Sequence, residues 1–402
     1  MRTDGKKLFS KNLIPVSLAS MFNDIASDMI YPLIPLFLSA VSGVQTTFIL
    51  GIIEGIAETV AAIGKYWFGE LSDRARSKKP FAITGYTLSN ASRPLMALAS
   101  NWWTLFIFRF LDRVGKGIRT APRDAILSGS TPRENRGFAF SFHRAMDNLG
   151  AVIGPLAASL ILLIFAKDPH YPCIVDYQAV FWLSLAPGLI SVLIFVFFVK
   201  EDRSGHDPRS RPSAGKTPVR KDLRIFFAAL FIFTLGNSSD AFLILRAKEA
   251  GISVILIPVL WSFFHLFKIS ISPLFGKLSD RIGRVKPMIA GWILYCAVYF
   301  IFSLNLSAIM VWVIFAVYGI YFALTEGVEK ALVADLAPKE AHGKAFGLYN
   351  GITGITKLPA SILFGLLWRY FNYRIAFLTG AFFSLAAVIF FLLLFRRKTD
   401  ER

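Results

Sequence analysis

From Pro287 to Thr325 the chain carries no charged residue. A helix needs about 20 apolar residues to cross the hydrocarbon of a bilayer, so this run is two spans, joined at "SLNLS". Gln178 to Val199 and Ile375 to Phe395 are also uncharged and read as one span each. Hydrophobic residues make up 55% of the 402 and charged residues 17%, so the rest of the chain offers more segments of the same kind. The expected fold class is all-α, a membrane protein that crosses many times.

A net charge of +18, from 44 basic and 26 acidic residues, could point to a polyanion. Its distribution argues against a nucleic-acid partner. Arg74, Arg76, Lys78 and Lys79 follow the second span, Arg119, Arg123, Arg133 and Arg136 follow the fourth, and a longer basic stretch follows the sixth. The loops between them, "VSGVQT", "SNW" and "SLNLS", hold no Lys or Arg. Positive loops stay on the cytoplasmic side, which places both termini and the central loop in the cytoplasm. Cys173 falls in an outside loop and Cys296 inside a span, so neither a disulfide nor a metal site is expected, and no cofactor is implied. "MRTDGKKLFSKN" does not read as a cleavable signal, and the first span is expected to serve as the insertion signal.

Hydropathy and loop signals give twelve spans, at about 13–40, 46–69, 80–100, 102–122, 138–166, 178–199, 223–246, 252–276, 287–304, 307–331, 344–368 and 374–395. Residues 200–222 are rich in Pro, Ser, Arg and Lys and read as a cytoplasmic linker between two six-span halves, 1–199 and 223–402. The halves repeat. "GELSDRARSKKP" (Gly69 to Pro80) returns 207 residues later as "GKLSDRIGRVKP" (Gly276 to Pro287). "STPRENRGFAFSF" (130–142) returns at an offset of 206 as "LAPKEAHGKAFGL" (336–348), with Pro132/Pro338, Glu134/Glu340, Gly137/Gly343, Ala139/Ala345 and Phe140/Phe346 identical. Six-span halves repeated in parallel are a transporter architecture, with solute sites near the midplane where the halves meet.

These residues resemble the major facilitator superfamily. "GxLSDR…R" after spans two and eight is similar to that superfamily's most specific loop motif. The second copy follows it through Gly276, Asp280, Arg281, Gly283 and Arg284, while the first keeps Gly69, Asp73 and Arg74 but has Arg76 and Ser77 where Gly and Arg are usual. "DRVGKG" in the fourth span resembles the Arg-x-x-polar-Gly motif at Arg113, Lys116 and Gly117. "GAVIGP", Gly150 to Pro155, resembles the motif associated with antiporters, without the paired glycines expected after it. "GKGIRTAPRDAIL" and "HRAMDNLGAVIGP" are similar to a prokaryotic branch of that superfamily. The resemblance covers the whole chain and implies twelve helices in two pseudo-symmetric halves, embedded in the lipid of a bacterial or archaeal plasma membrane. It implies a functional monomer that moves a small-molecule solute together with protons.

The repeated motif has a physical reading as a gate. Gly69 and Gly276 are expected to let a helix end pack tightly and turn. Asp73 and Asp280 can accept bonds from the amides that open the next helix, where the dipole favours an anion. With Arg74, Arg281 and Arg284 they can also form ion pairs at the cytoplasmic rim that break when the site opens inward. The alternative is a loop that only fixes topology through its positive charge.

Charges inside spans are expensive in hydrocarbon and mark interior or solvent-lined positions. Asp24, next to Asn23, lies about 15 Å from the cytoplasmic end of span one at 1.5 Å per residue. Arg113 reaches a similar depth from the other side of span four. Asp28 and Arg109 lie one turn outward, so an Asp24–Arg113 and Asp28–Arg109 ladder is the pairing expected from depth. Glu54 and Glu58 share one face of span two, and Glu58 corresponds to His265 on span eight at the 207 offset. Desolvation favours the neutral form of a carboxylate, and an acid that exchanges its proton near neutral pH is what proton coupling requires. Span five offers His143, Arg144, Asp147 and Asn148, with Arg144 and Asp147 spaced to neutralise each other. Span seven offers Asn237 and Asp240, span eight Lys268, span ten Glu326, Glu329 and Lys330, and span eleven Asn350 and Lys357. The span-ten charges count as gate or rim groups because they lie near the cytoplasmic end.

No nucleophile elbow, HExxH or phosphate loop is present, so an intramembrane enzyme is not expected. The reading is a secondary active transporter of a small polar or amphipathic organic solute, working by alternating access as a proton-coupled antiporter for efflux. Proton-coupled uptake of an organic anion, a metabolite or a siderophore-type metal chelate is the alternative. A receptor or scaffold that does not transport is a third.

Overall fold

A computed structural model describes residues 11–132, 135–168, 170–201, 221–338 and 342–396. The expected linker lies, apart from its ends, outside the described residues, as do Arg133, Glu134 and Glu340. Among the described residues, twelve long helical stretches follow one another. They are α1 (Leu13–Ser42), α2 (Thr46–Arg74), α3 (Lys79–Leu95), α4 (Trp102–Gly129), α5 (Arg136–Phe165), α6 (Ile174–Phe198), α7 (Lys221–Glu249), α8 (Leu256–Ile282), α9 (Val285–Phe302), α10 (Ala308–Leu336), α11 (His342–Tyr370) and α12 (Tyr373–Arg396). Among the described residues, ten are long and apolar enough to cross a membrane by length and composition. The other two, α3 and α4, carry Arg93, Arg109, Asp112 and Arg113. Charges lower the hydropathy of α4, whereas α3 owes its low value mainly to Ser, Thr and Asn with a single interior Arg93.

Helix starts agree with the sequence expectation within a few residues. The ends of α2, α4, α8 and α10 run five to seven residues further than expected. Gly69–Arg74 and Gly276–Ile282 are therefore helical, not loop. Gly69 does not turn the chain but lets α2 approach α4, since a Cβ there would meet Ala121 at 3.2 Å. A Cβ on Gly276 meets nothing within 4 Å. The turn of the second copy is made by Gly283 at φ +86, a backbone region that L side chains rarely adopt. Arg76 occupies the matching place in the first copy, where no non-glycine residue has positive φ among the described residues.

The chain divides into two compact units. The first takes α1 up to Tyr31, α2 from Ile63 onward, and α3 to α6. The second takes Pro32–Ala62, Asp168–Tyr171 and α7 to α12. Within the first, α1 packs against α5 and α6, and α3 against α4 and α6. Within the second, α7 packs against α11 and α12, and α9 against α10 and α12. The same scheme is thus built twice, as the internal repeat predicts. On α5, glycines set the closest approach: a Cβ on Gly150 would meet Met21 O at 2.4 Å and Asp24 Cβ at 3.1 Å, and one on Gly154 would meet Ile25 O at 2.5 Å. The "GAVIGP" string thereby fixes α1 and its acids against α5. Leu160, Leu163, Phe197, Phe382 and Leu393 are more than half exposed, as apolar side chains facing lipid should be.

Two helices break at matching positions of the repeat. In α1 a 3-10 turn spans Tyr31–Leu33. In α7 the helix stops at Gly236 and restarts at Ala241. The 206 offset carries Tyr31 onto Asn237. A broken helix at depth frees backbone groups that lipid cannot satisfy. In α7, Tyr295 Oη donates to Gly236 O at 2.9 Å and Ser239 N donates to Ser361 Oγ at 3.2 Å.

Candidate functional site

In the first unit Asp112 is the centre of a buried arginine cluster. It is 1% exposed, and it accepts Arg93 Nε at 3.0 Å on one oxygen and Arg109 Nη1 at 3.3 Å on the other. Arg113 Nε stands 3.5 Å from the second oxygen. The Arg93 guanidinium also donates to Asn23 O at 3.0 Å, Asn23 Oδ1 at 3.1 Å and Asn90 Oδ1 at 2.7 Å. Asn23 in turn donates to Asp24 Oδ1 at 2.9 Å. Arg109 lies over the ring of Tyr31, at the break in α1, 5.4 Å from its centroid.

This corrects the Asp24–Arg113 rung of the ladder expected from depth. Arg113 pairs with Asp112 on its own helix, and the hydrogen bond recorded for Asp24 comes from Asn23. Depth alone could not foresee Arg93, which enters from α3 and competes for the same acids. The charges of Asp24 and Asp28 both reach Arg93. One further signal was available: Arg109, Asp112, Arg113 and Lys116 share one face of α4 by their three- and four-residue spacing, which marks that face as interior.

On α5, Asp147 does not neutralise Arg144. Its recorded ion pairs are with Arg123 Nη1 at 4.0 Å and His143 Nε2 at 3.6 Å. His143 is 4% exposed, Asn148 is half-buried and Arg144 is exposed.

In the second unit the break in α7 gathers the polar groups. Tyr318 Oη donates to Asp240 Oδ1 at 2.6 Å, and Asn237 Nδ2 donates to Tyr321 Oη at 3.3 Å. The charges of Lys357, Lys268 and Glu58 act on Asp240. Lys268 itself pairs with Glu326 at 2.7 Å and lies 4.7 Å from the centroid of Phe322. Tyr295, Tyr299, Tyr318 and Tyr321 stack around this centre, with Tyr295 and Tyr299 4.2 Å apart at their centroids. Glu54 is fully buried and Glu58 half-buried; both belong to this second unit although they precede the linker in sequence. His265 stands edge-on to Trp261 and Phe264, with no hydrogen bond to either ring nitrogen among the described residues.

Glu329 is not a rim group. It is 6% exposed, and its two oxygens accept Trp292 Nε1 and Tyr349 Oη, each at 2.9 Å. Counting along α10 placed it near the helix end but could not show that α9 and α11 cover it there.

Among the gate residues Asp73, Arg74, Asp280 and Arg281 are exposed and Arg284 is half-buried, and the ion pairs are local. Asp73 bonds Lys78 Nζ at 2.5 Å, Arg74 pairs with Glu70, and Asp280 pairs with Arg284 at 2.5 Å. Arg284 also reaches Ser279 Oγ at 2.7 Å and Asp335 at 3.4 Å. The amides that open α3 are not capped by Asp73. Lys78 N at 2.6 Å and Lys79 N at 3.1 Å donate to Glu201, just past the end of α6, which also accepts Ser77 Oγ. A groove of about 260 Å³ on α2, lined by Tyr66, Trp67, Leu71 and Arg74, holds none of the midspan polar groups.

Chemically, Asp240 among tyrosines with lysines nearby suits a solute bearing both an amine and an anionic or hydroxylated part. The Asp112 cluster holds more buried positive than negative charge in its direct pairs and suits a structural or charge-coupling role.

The sequence model of the Major Facilitator Superfamily matches residues 16–267 and again 225–402. An uncharacterized MFS-type transporter of Methanocaldococcus jannaschii is 35% identical over 397 residues, covering 97% of this chain and 96% of that protein. The class H tetracycline resistance protein of Pasteurella multocida is 23% identical, over 98% and 97% of the two chains. Among solved structures, a POT family transporter in complex with 5-aminolevulinic acid superposes with a TM-score of 0.78, covering 98% and 97% at 11% identity, a likeness of fold.

Proposed function

We propose that this chain, which belongs to the major facilitator superfamily, exports a small polar or amphipathic organic solute in exchange for protons. It works by alternating access as a monomer in the plasma membrane, with both termini in the cytoplasm. Residues 1–199 and 223–402 act as the two moving halves. The observation that carries the solute site is the break in α7, where Asp240 lies at a helix restart under the Tyr318 hydroxyl. Discontinuous helices near the midplane bind solute and coupling ions in secondary transporters. Asn237, Asp240, Glu58 and His265 are assigned to that site. Full-length similarity to a tetracycline resistance protein supports export over uptake.

The test is transport in proteoliposomes under an imposed pH gradient. Solutes are first selected by thermal shift of the purified protein against amines, zwitterions and metal chelates at two pH values. Uphill movement of a selected solute against the proton flow supports the proposal. Movement with the proton flow assigns uptake instead. Counterflow that ignores the pH gradient removes proton coupling, and binding without counterflow removes transport.

A further inference from the structure

Polar atoms without partners converge in one seam of the first unit. Ser17 Oγ on α1, Tyr86 Oη on α3, Arg119 Nε on α4, and His143 Nδ1 and Nε2 with Asp147 Oδ1 on α5 make no hydrogen bond among the described residues. Ser17 and Tyr86 are fully buried, and Arg119 and His143 are each 4% exposed. Neighbours tie all of them but Ser17 together, and Ser17 shares only the helical face of Ser20 on α1. The Arg119 guanidinium lies 5.1 Å from the centroid of the Tyr86 ring. Arg123 Nη1 donates to Ser20 Oγ at 2.8 Å and stands 4.0 Å from Asp147 Oδ2, the oxygen that His143 Nε2 approaches to 3.6 Å.

Asp24 faces the same seam from α1, where Asp147, Arg119, Lys116 and Arg123 are the charges that act on it. Ser17, Ser20 and Asp24 follow one face of α1 at helical spacing, leading from midspan toward the N-terminal end of the helix. Asp124 takes the Nε of Arg123 at 2.9 Å, and Arg144 is exposed on α5. The seam therefore holds acids and bases in near balance.

Buried polar groups are almost always bonded, and an orphan calls for an explanation such as an internal water. Several orphans on four helices around one pair of acids call for a shared guest. The orphan set contains donors (Arg119, Tyr86, Ser17) and an acceptor (Asp147), and a neutral imidazole is both. An anion would need donors alone and a metal cation acceptors alone. Water and the hydrated proton need both.

We propose that this seam is an internal hydrated proton site in which His143 relays protons between the N-terminal end of α1 and the Asp147–Asp24 pair. A neutral His143 takes a proton from a protonated seam water at one ring nitrogen, releasing neutral water, and passes the proton on its other nitrogen to the Asp147 carboxylate. The reverse steps return it, and no electron pair leaves the proton donors and acceptors named. The inference rests on the proton-coupled reading and names where the coupling proton is held.

The test uses the purified full-length chain and needs no solute. Millisecond hydroxyl-radical labelling of the wild-type protein reports buried water: Tyr86 and His143 are expected to be oxidised despite their burial. Infrared spectroscopy after a pH jump then follows the protonated-carboxyl band. Asp147→Asn is expected to remove part of that band. His143→Gln is expected to keep its amplitude but slow its appearance by about 100-fold, the scale of a lost acid–base relay. Unlabelled Tyr86 and His143, or an unchanged rate in His143→Gln, overturns the relay. If both results hold while the proteoliposomes show no pH-driven transport, the proton site stands and the coupled-transport reading falls.

Discussion

The carboxylate of Glu201, just past the end of α6, accepts the backbone N–H of Lys78 at 2.6 Å and that of Lys79 at 3.1 Å. An acid three residues past the sixth helix thus caps the start of the third, where unpaired amides and the helix dipole favour an anion. The tie crosses more than 120 residues of sequence. Glu201→Ala is expected to cost about 1 kcal/mol, the usual loss for an N-cap, read as a lower melting temperature of the purified protein. Glu201→Gln keeps an acceptor and should recover most of it. Equal melting of all three proteins would show that the cap contributes nothing.

Asp112 is the shared anion of Arg93, Arg109 and Arg113. Asp112→Asn strands buried guanidinium groups, and breaking a buried pair on one side costs about 3–5 kcal/mol. Poor membrane insertion and low yield are expected. Asp112→Asn combined with Arg93→Gln should fold better than the single change, because one stranded cation is removed with the anion. Equal yields of single and double variants would break the link between the two residues.

The all-helical architecture was legible because hydrocarbon imposes a length and a charge rule on every span. The partners of Asp24 and Arg113 were not. Depth along a helix gives one coordinate of a side chain, so Asp24 and Arg113 looked matched while Arg93 and Asp112 went unnoticed. The rotation of each helix decides the partner, and that rotation is set by contacts such as Gly150 against Met21. Glu329 was misplaced for the same reason, since cover from α9 and α11 leaves no mark on the sequence of α10. Of the two properties expected of Gly69 and Gly276, Gly69 shows the close packing, while the turn is supplied by Gly283, where φ reaches +86. Asn237 and Asp240 were singled out from composition, but the helix break that gives them meaning shows no proline or glycine run.

Glu329 ties three helices through Trp292 Nε1 and Tyr349 Oη. Glu329→Ala leaves both donors buried without an acceptor, at about 1–3 kcal/mol for each. Glu329→Leu fills more of the space but leaves the same donors. Both are expected to melt earlier than Glu329→Gln, which keeps one carbonyl acceptor. The ordering of the three melting temperatures checks the strut, whatever the solute.

Asp73 and Asp280 are exposed and bonded within their own motif copies, to Lys78 and to Arg284. Exposed pairs contribute little to stability, about 0–1 kcal/mol. Asp73→Asn and Asp280→Asn should therefore melt like the wild type while cutting transport, if these acids change partners during the cycle. Wild-type transport rates in both variants would leave topology as the role of the motif.

Tyr318 Oη donates to Asp240 at 2.6 Å beside the break in α7, so the hydroxyl and the acid can be separated by two small changes. Tyr318→Phe removes the donor but keeps the ring stacked on Phe264 and Tyr321. It is expected to weaken solute binding, because Asp240 is then free to swing from its position. Asp240→Asn removes the charge and is expected to abolish binding of an amine or zwitterion. Glu58→Gln and His265→Ala alter groups assigned to the same site and are expected to weaken solute binding, whereas Asp28→Asn changes an acid outside it. If Asp28 carries the coupling proton, that variant loses pH-driven accumulation but keeps solute exchange. Thermal shift with the selected solute, followed by exchange and accumulation in proteoliposomes, reads all of these. Undiminished binding by Asp240→Asn would move the solute site away from the broken helix.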